Sequence, residues 1–349
     1  LGLPYEAAEA WATVARLSGS DHDAAVEATG RAMALETEAD EDRSPTIPFV
    51  RAASKLPPEE ATGAADDPGD LDPHEAGDRG RLDESPHPFM SGGGDDIRIT
   101  TRWTGQDFVS GLLAVAHETG HALYEGGLPV DWRWQPAGDA VGMAMHEGQA
   151  LLWEMQVARG RDFLGFLAPL VSGELGLAVT ATDLVHSIQH VRPGMIRVDA
   201  DEVTYPLHVL LRYRLEQALF KGDLQLADLP GVWNAAMREL LGVAPKTDAE
   251  GCMQDIHWMM GSFGYFPSYA LGAVAAAQLF QAAEGATPGL RMELARGNGR
   301  PLLHWLRQNV HAHGSLLSTV DLLRQATGQS FDASALLGHL RRRYVDRAS

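Results

Sequence analysis

Residues 108–116 read Phe-Val-Ser-Gly-Leu-Leu-Ala-Val-Ala, an apolar run that continues through Ala122, Leu123 and Tyr124 without a proline. This pattern predicts a buried helix, which Gly126, Gly127 and Pro129 then end. Glycines and prolines as far as Gly138 allow a chain reversal, and residues 139–159 predict a second helix. Helical spacing recurs over 207–220, 232–241, 270–283, 301–311 and 334–344, and upstream over 4–17 and 22–39. The weakly charged stretch 163–182 contains Pro169, Gly173 and Glu174, so it predicts buried helix and turn rather than a membrane span. One strand stands out, over 96–103, where apolar and polar residues alternate after the Gly92–Gly94 turn. It is either an ordinary strand packed on helices or one lip of a cleft, with a free edge able to pair with an extended peptide. Together these elements predict a mainly α protein with one small β-sheet.

Within the first buried helix lies His117-Glu118-Thr119-Gly120-His121. The i, i+4 spacing puts both imidazoles on one helix face, and Glu118 turns toward the same open side, the layout of a zinc hydrolase. The bland alternative is a core helix with two satisfied histidines. Catalytic zinc takes three protein ligands and keeps one position for water. The third ligand expected is Glu147, twenty-six residues after His121, among Val141, Met143, Met145, Leu151 and Leu152. A carboxylate in such apolar company needs a partner, and a metal is one.

The 349 residues carry a net charge of -19, unevenly spread. Residues 1–86 hold 20 acidic and 7 basic side chains (-13), and residues 87–349 hold 27 and 21 (-6). Nucleic acid is therefore not an expected partner, since phosphate neutralisation needs a basic surface. Residues 56–86, with ten acidic side chains, five prolines and four glycines, read as a mobile linker. The expected organisation is an N-terminal helical segment with this linker over 1–86 and a catalytic region over 87–349. One cysteine, Cys252, excludes an internal disulfide; with no secretory pattern and no membrane span, it points to the cytoplasm. Arg341, Arg342 and Arg343 read as a solvated helix terminus at the favourable dipole end.

Further clusters fall in a fixed order around the histidine pair. His87-Pro88-Phe89 comes first; residues 96–100 fit DxRxT; His146-Glu147-Gly148-Gln149 follows the HExxH element; residues 196–201 fit IRxxAD; residues 251–258 fit GxxQDxHW. The stretch from Gly261 to Tyr269 follows. In this order the chain resembles the M32 metallocarboxypeptidases, the carboxypeptidase Taq family, over roughly residues 87–344. The resemblance implies a mostly helical fold with a deep groove, akin to neurolysin-like and angiotensin-converting-enzyme-like peptidases, and commonly a homodimer. It also implies His117, His121 and Glu147 as metal ligands and Glu118 as general base. The family carries a longer helical region before its HExxH element than the 116 residues present here, so this part reads as shortened or divergent. Gly148 stands where many relatives have serine, an accepted variant.

The chemistry this implies is removal of residues from peptide C-termini. Zinc is the expected ion, with cobalt or manganese compatible with the same donors. Tyr265 or Tyr269 would donate to the developing oxyanion, unless the two serve aromatic packing. A free α-carboxylate suits a planar arginine fork, for which Arg197 leads with His257 as helper; the alternative for Arg197 is a structural salt bridge to Asp199 or Asp201. Arg98 is a further substrate-binding candidate, with pairing to Asp96 as the alternative. Asp255 is expected to orient a histidine ligand. An endo-acting oligopeptidase and a shortened, non-catalytic peptide-binding homologue are the competing readings.

Overall fold

The computed structural model describes residues 80–346 apart from 95, 103–106 and 177. The helices expected over 4–17 and 22–39, residues 56–79 of the acidic linker, and Trp103 lie outside the described residues.

The chain enters the described part through a three-stranded sheet of order β1-β3-β2. Strand β1 (Gly80–Glu84) runs parallel to β3 (Asp96–Thr101), and β2 (Met90–Gly93) pairs antiparallel with β3. This corrects two expectations. The last part of the segment read as linker is a strand, hidden in the sequence because Arg81, Asp83 and Glu84 surround its one large apolar residue, Leu82. The strand at 96–101 has both edges occupied, so it offers no free edge to a peptide backbone. At its end the buried Thr101 hydroxyl donates to the Gly111 carbonyl and fastens the sheet to the first helix.

That helix, α1 (Phe108–Glu125), starts where the Asp107 carboxylate accepts the Val109 and Ser110 amides, an N-cap that satisfies two otherwise unpaired donors. The second helix, α2 (Gly142–Leu151), continues as a π-helical segment over Leu152–Ala158. Then follow α3 (Arg161–Leu175), α4 (Ala181–Ile188), α5 (Tyr205–Lys221), α6 (Leu229–Leu241), α7 (Pro267–Ala286), α8 (Leu290–Leu294), α9 (Arg300–Asn309), α10 (Thr319–Thr327) and α11 (Ser334–Leu340). A second π-helical segment, Arg341–Val345, ends the described chain. The helices predicted within the described residues are all present within a few residues of their expected bounds, and α4, α8 and α10 are additional. No helix among the described residues is long and apolar enough to cross a membrane.

The site is positioned by the stacking of α1, α2 and α7. Helix α7 is buried along most of its length, and its Ala273, Ala275, Ala276 and Ala277 leave little side chain between it and α2. Two glycines set the closest approaches. A Cβ on Gly120 of α1 would lie 2.5 Å from the Ala150 Cα of α2, and one on Gly272 of α7 would lie 2.7 Å from the Glu147 Cγ. The main core forms around this stack from Tyr124, Met145, Leu151, Leu279 and Leu306. Smaller cores lie between α3 and α4 and between α5 and α6. Arg343 departs from its expected solvated position: it turns inward to the Met155 carbonyl and the buried Glu202 carboxylate, while Arg341 and Arg342 stay exposed.

Candidate active site

The apolar positions of α1 bury one side of the helix and leave His117 and His121, one turn apart, facing α2. Their rings sit edge to face with centroids 4.9 Å apart. Glu147 enters from α2, with one carboxylate oxygen 3.9 Å from His117 Nε2 and the other 3.9 Å from His121 Nε2. One donor atom from each of the three residues lies within 4.8 Å of the others. Two imidazole nitrogens and a buried carboxylate oxygen are the donor types a divalent ion takes, so the three residues fit such an ion.

The electrostatics of the cluster reflect five ionisable groups, His117, Glu118, His121, Glu147 and Glu154, packed close together. Burial disfavours the charged form of His117, but Glu147 and Glu154 outweigh it and raise its pKa to about 9. Burial and the neighbouring His117 charge hold His121 neutral. Burial raises the Glu147 carboxyl against the pull of His117. Glu118, only 6 % exposed, is raised by burial to about 7, with His117 opposing and Glu147 and Glu154 reinforcing the rise. A carboxylate beside a cation site can both take and return a proton.

Each histidine is held from behind by its Nδ1. The Glu154 carboxylate lies 3.0 Å from His117 Nδ1 and is itself held by Arg159 at 2.8 Å. Glu154 sits in the π-helical segment, seven residues after Glu147, so two carboxylates two turns apart reach toward α1. His121 Nδ1 lies 2.7 Å from His146 Nδ1, and His146 Nε2 lies 2.9 Å from the Glu125 carboxylate. Asp255 was the expected support for a histidine ligand, and it has another role. It accepts from Arg197 Nε and Nη2 and from Arg212 Nε, so two guanidiniums occupy it.

Those two arginines form a second polar centre. Arg197, 6 % exposed, pairs with Asp255 and not with Asp199 or Asp201, and its guanidinium lies 4.6 Å from the Tyr269 ring centroid. Asp201 instead accepts the Val203, Thr204 and Arg192 amides. Gln254 accepts from the Arg197 amide and from Arg212 Nη2, which accounts for the glutamine of GxxQDxHW. Burial and the Arg197 charge lower the His257 pKa, and its Nε2 lies 3.0 Å from the Tyr269 hydroxyl. Tyr265 packs edge to face on Tyr269 at 5.4 Å. Tyr205, on α5, joins the two centres: its hydroxyl donates to Glu147 at 3.5 Å and its ring lies 6.1 Å from that of Tyr269. Arg98 is not gathered into this cluster; it is exposed on β3 and forks onto Asp96.

Sequence reasoning therefore missed Glu154, His146, Glu125, Tyr205 and Arg212. A faint signal existed for two: Glu125 follows His121 at i+4, and Glu154 follows Glu147 at i+7. No comparable signal marked Tyr205 or Arg212.

A sequence model described as the carboxypeptidase Taq (M32) metallopeptidases matches residues 75–344. The chain is similar to thermostable carboxypeptidase 1 of Thermus thermophilus, with 44 % identity over 270 residues that cover 76 % of this chain and 53 % of that protein. It is 38 % identical to carboxypeptidase 1 of Bacillus subtilis over 275 residues, 76 % of this chain and 54 % of the relative. The chain thus spans about half the length of the curated relatives it matches. Among solved structures, the M32 carboxypeptidase of Deinococcus radiodurans superposes with a TM-score of 0.87 at 33 % identity, covering 99 % of this chain and 67 % of that one. Trypanosoma cruzi metallocarboxypeptidase 1 gives 0.84 at 35 % identity, covering 98 % and 69 %. With a family model matching most of its length and relatives well above 30 % identity, the chain belongs to the carboxypeptidase Taq (M32) family of metallopeptidases.

Proposed function

We propose that this chain is a metallocarboxypeptidase that hydrolyses the C-terminal peptide bond of peptides. The observation that carries the reading is the juxtaposition of the His117, His121 and Glu147 donors, with Glu118 beside them, and a separate buried arginine centre joined to them through Tyr205. In this reading His117, His121 and Glu147 hold one divalent ion. Zinc is proposed, and the nitrogen and oxygen donors also suit cobalt or manganese. Bound there, such an ion polarises the scissile carbonyl and makes water a stronger nucleophile at neutral pH. Glu118 takes a proton from the attacking water as the new carbon–oxygen bond forms. It returns a proton to the amine nitrogen as the carbon–nitrogen bond breaks.

The tyrosines and Arg197 divide the remaining work. Tyr265 and Tyr269 keep their hydroxyl protons, since burial raises both pKa values, and donate to the carbonyl oxygen as it gains charge. Arg197 binds the substrate α-carboxylate, with neutral His257 as a polar helper. Two guanidiniums against one Asp255 leave this centre one positive charge in excess, which a carboxylate would balance. Residues 87–349 are proposed as the catalytic region, acting in a cytoplasmic homodimer. The test is digestion of a defined peptide by metal-replete protein, followed by mass spectrometry, with the same peptide amidated at its C-terminus as control. A ladder of one-residue losses from the free acid alone is expected. Internal cleavage that survives amidation would favour the endo-acting alternative, and no cleavage of either peptide would overturn the proposal.

A further inference from the structure

The two histidines of the HExxH element are supported differently, and the difference carries an inference that rests on the metal-site reading above. His117 Nδ1 meets a carboxylate directly, whereas His121 Nδ1 meets another histidine. We infer that His146 and Glu125 form a hydrogen-bonded relay that fixes the tautomer and ring orientation of His121. Both are positioning residues; neither is one of the three clustered donors.

Counting protons fixes the direction of the relay. A 2.7 Å separation between His121 Nδ1 and His146 Nδ1 is a hydrogen bond and holds one proton, because two N–H groups cannot point at each other. The Glu125 carboxylate, 2.9 Å from His146 Nε2, is an acceptor and requires an N–H there. With a single N–H on His146, that proton sits on Nε2 and Nδ1 is bare and accepts. The shared proton therefore belongs to His121 Nδ1. That leaves His121 Nε2, the nitrogen facing Glu147, with its lone pair free for a cation. The reverse arrangement, with both protons on His146, would put the remaining proton of neutral His121 on Nε2 and remove it as a donor.

Packing holds the relay in place. The His121 and His146 rings are tilted by 35° with centroids 4.5 Å apart, and the fully buried Tyr124 lies edge-on to His146 at 5.6 Å. His121, Tyr124 and Glu125 all come from the last turns of α1, while His146 adjoins Glu147 on α2. The same helix pair that brings the ligands together thus brings their support. A reading of His146 as core filler predicts that ring volume alone matters; the relay predicts that its two nitrogens matter.

The experiment uses the whole chain and Co2+ as probe, with its dissociation constant read by chelator competition and its visible absorption spectrum recorded. His146→Phe keeps the ring and removes both nitrogens; His146→Gln keeps one acceptor and one donor. Loss of such outer support costs about 10–100-fold in metal affinity, the loss expected for His146→Phe, with an altered cobalt spectrum. His146→Gln is expected to recover most of that loss. Glu125→Gln, which retains an acceptor oxygen, should bind Co2+ more tightly than Glu125→Leu. Metal-free thermal unfolding checks that each variant folds. Equal affinity of His146→Phe and the parent, or equal weakening by Phe and Gln, would overturn the relay while leaving the metal site intact. Failure of the parent itself to bind Co2+ would overturn both.

Discussion

Replacing Arg197 by methionine separates the two centres of the site. The guanidinium gives Asp255 two hydrogen bonds, at 3.0 and 2.8 Å, and lies over the Tyr269 and Phe266 rings. Asp255 would not be orphaned, because Arg212 holds its other oxygen at 2.6 Å. The stability cost should therefore be about 1–3 kcal/mol, typical of lost hydrogen bonds to charged groups, and below the roughly 3–5 kcal/mol of a buried charge left unpaired. Binding is affected differently. The centre falls from one excess positive charge to none, so a substrate carboxylate entering it would be uncompensated. Truncating one partner of a buried charge pair costs about 2–5 kcal/mol, and about 3 kcal/mol corresponds to roughly two orders of magnitude in kcat/KM. The assay is steady-state hydrolysis of a matched peptide pair, free acid and C-terminal amide. For the free acid kcat/KM should fall about 100-fold, mostly through KM, since the anchor acts in ground and transition states alike. Any residual amide hydrolysis should change little. Arg197→Lys should be intermediate, because an ammonium restores charge without the planar fork. An unchanged rate on the free acid, or an equal fall on both peptides, would refute carboxylate anchoring by Arg197.

Glu118→Gln should lower kcat by about 10²–10⁴-fold while metal content, measured by atomic emission, stays at the parent level. Unchanged hydrolysis would remove Glu118 from the mechanism. In metal-free protein, His117 has its pKa raised from 6.5 to about 9 and Glu118 from 4.5 to about 7. Both folded-state values are raised, so each contribution is complete below its unfolded pKa and lost as pH rises through the folded one. Urea midpoints of metal-free protein should accordingly fall between pH 6.5 and 9, with a shallower fall in His117→Gln; a midpoint that rises over this range would contradict the assignment. Gly272→Ala would place a Cβ 2.7 and 2.9 Å from Glu147 side-chain carbons and 3.1 Å from the Gly148 amide. It should destabilise by about 1–3 kcal/mol and weaken metal binding, read by calorimetry and chelator competition. Gly165→Ala, in α3 with nothing within 4 Å, should be neutral or stabilising by about 0.5–1 kcal/mol and serves as control.

What could be read from the sequence divides along a physical line. The HExxH helix was legible because its chemistry is local: helical periodicity alone fixes that His117 and His121 share a face. Glu147 was legible by a different route, since two histidine donors call for a third ligand and a carboxylate among apolar residues calls for a partner. Strand β1 was not legible, because each residue's partner lies seventeen positions on, in parallel register, and its own residues are mostly charged. Of the two readings of β3, the one with a free edge fails for the same reason.

Partner choice among buried charged groups was the least legible property, and Asp255 shows why. Its motif neighbours suggest a residue near the chemistry, but whether it meets a histidine or an arginine depends on how the 251–258 segment meets α5, which carries Arg212. Glu154 took the role assigned to Asp255 because the α1–α2 crossing, closed at Gly120, aims it at His117 Nδ1. Glu154 thus takes the place expected of Asp255 through the α1–α2 contact, while the 251–258 segment against α5 commits Asp255 to arginines. Metal ligands are constrained by the ion as well as by the chain, which makes them readable from spacing and donor type. The residues that orient them are selected by which side chains the packing brings together, and until the glycine contacts that set that packing are known they show only as faintly as the i+4 and i+7 spacings of Glu125 and Glu154.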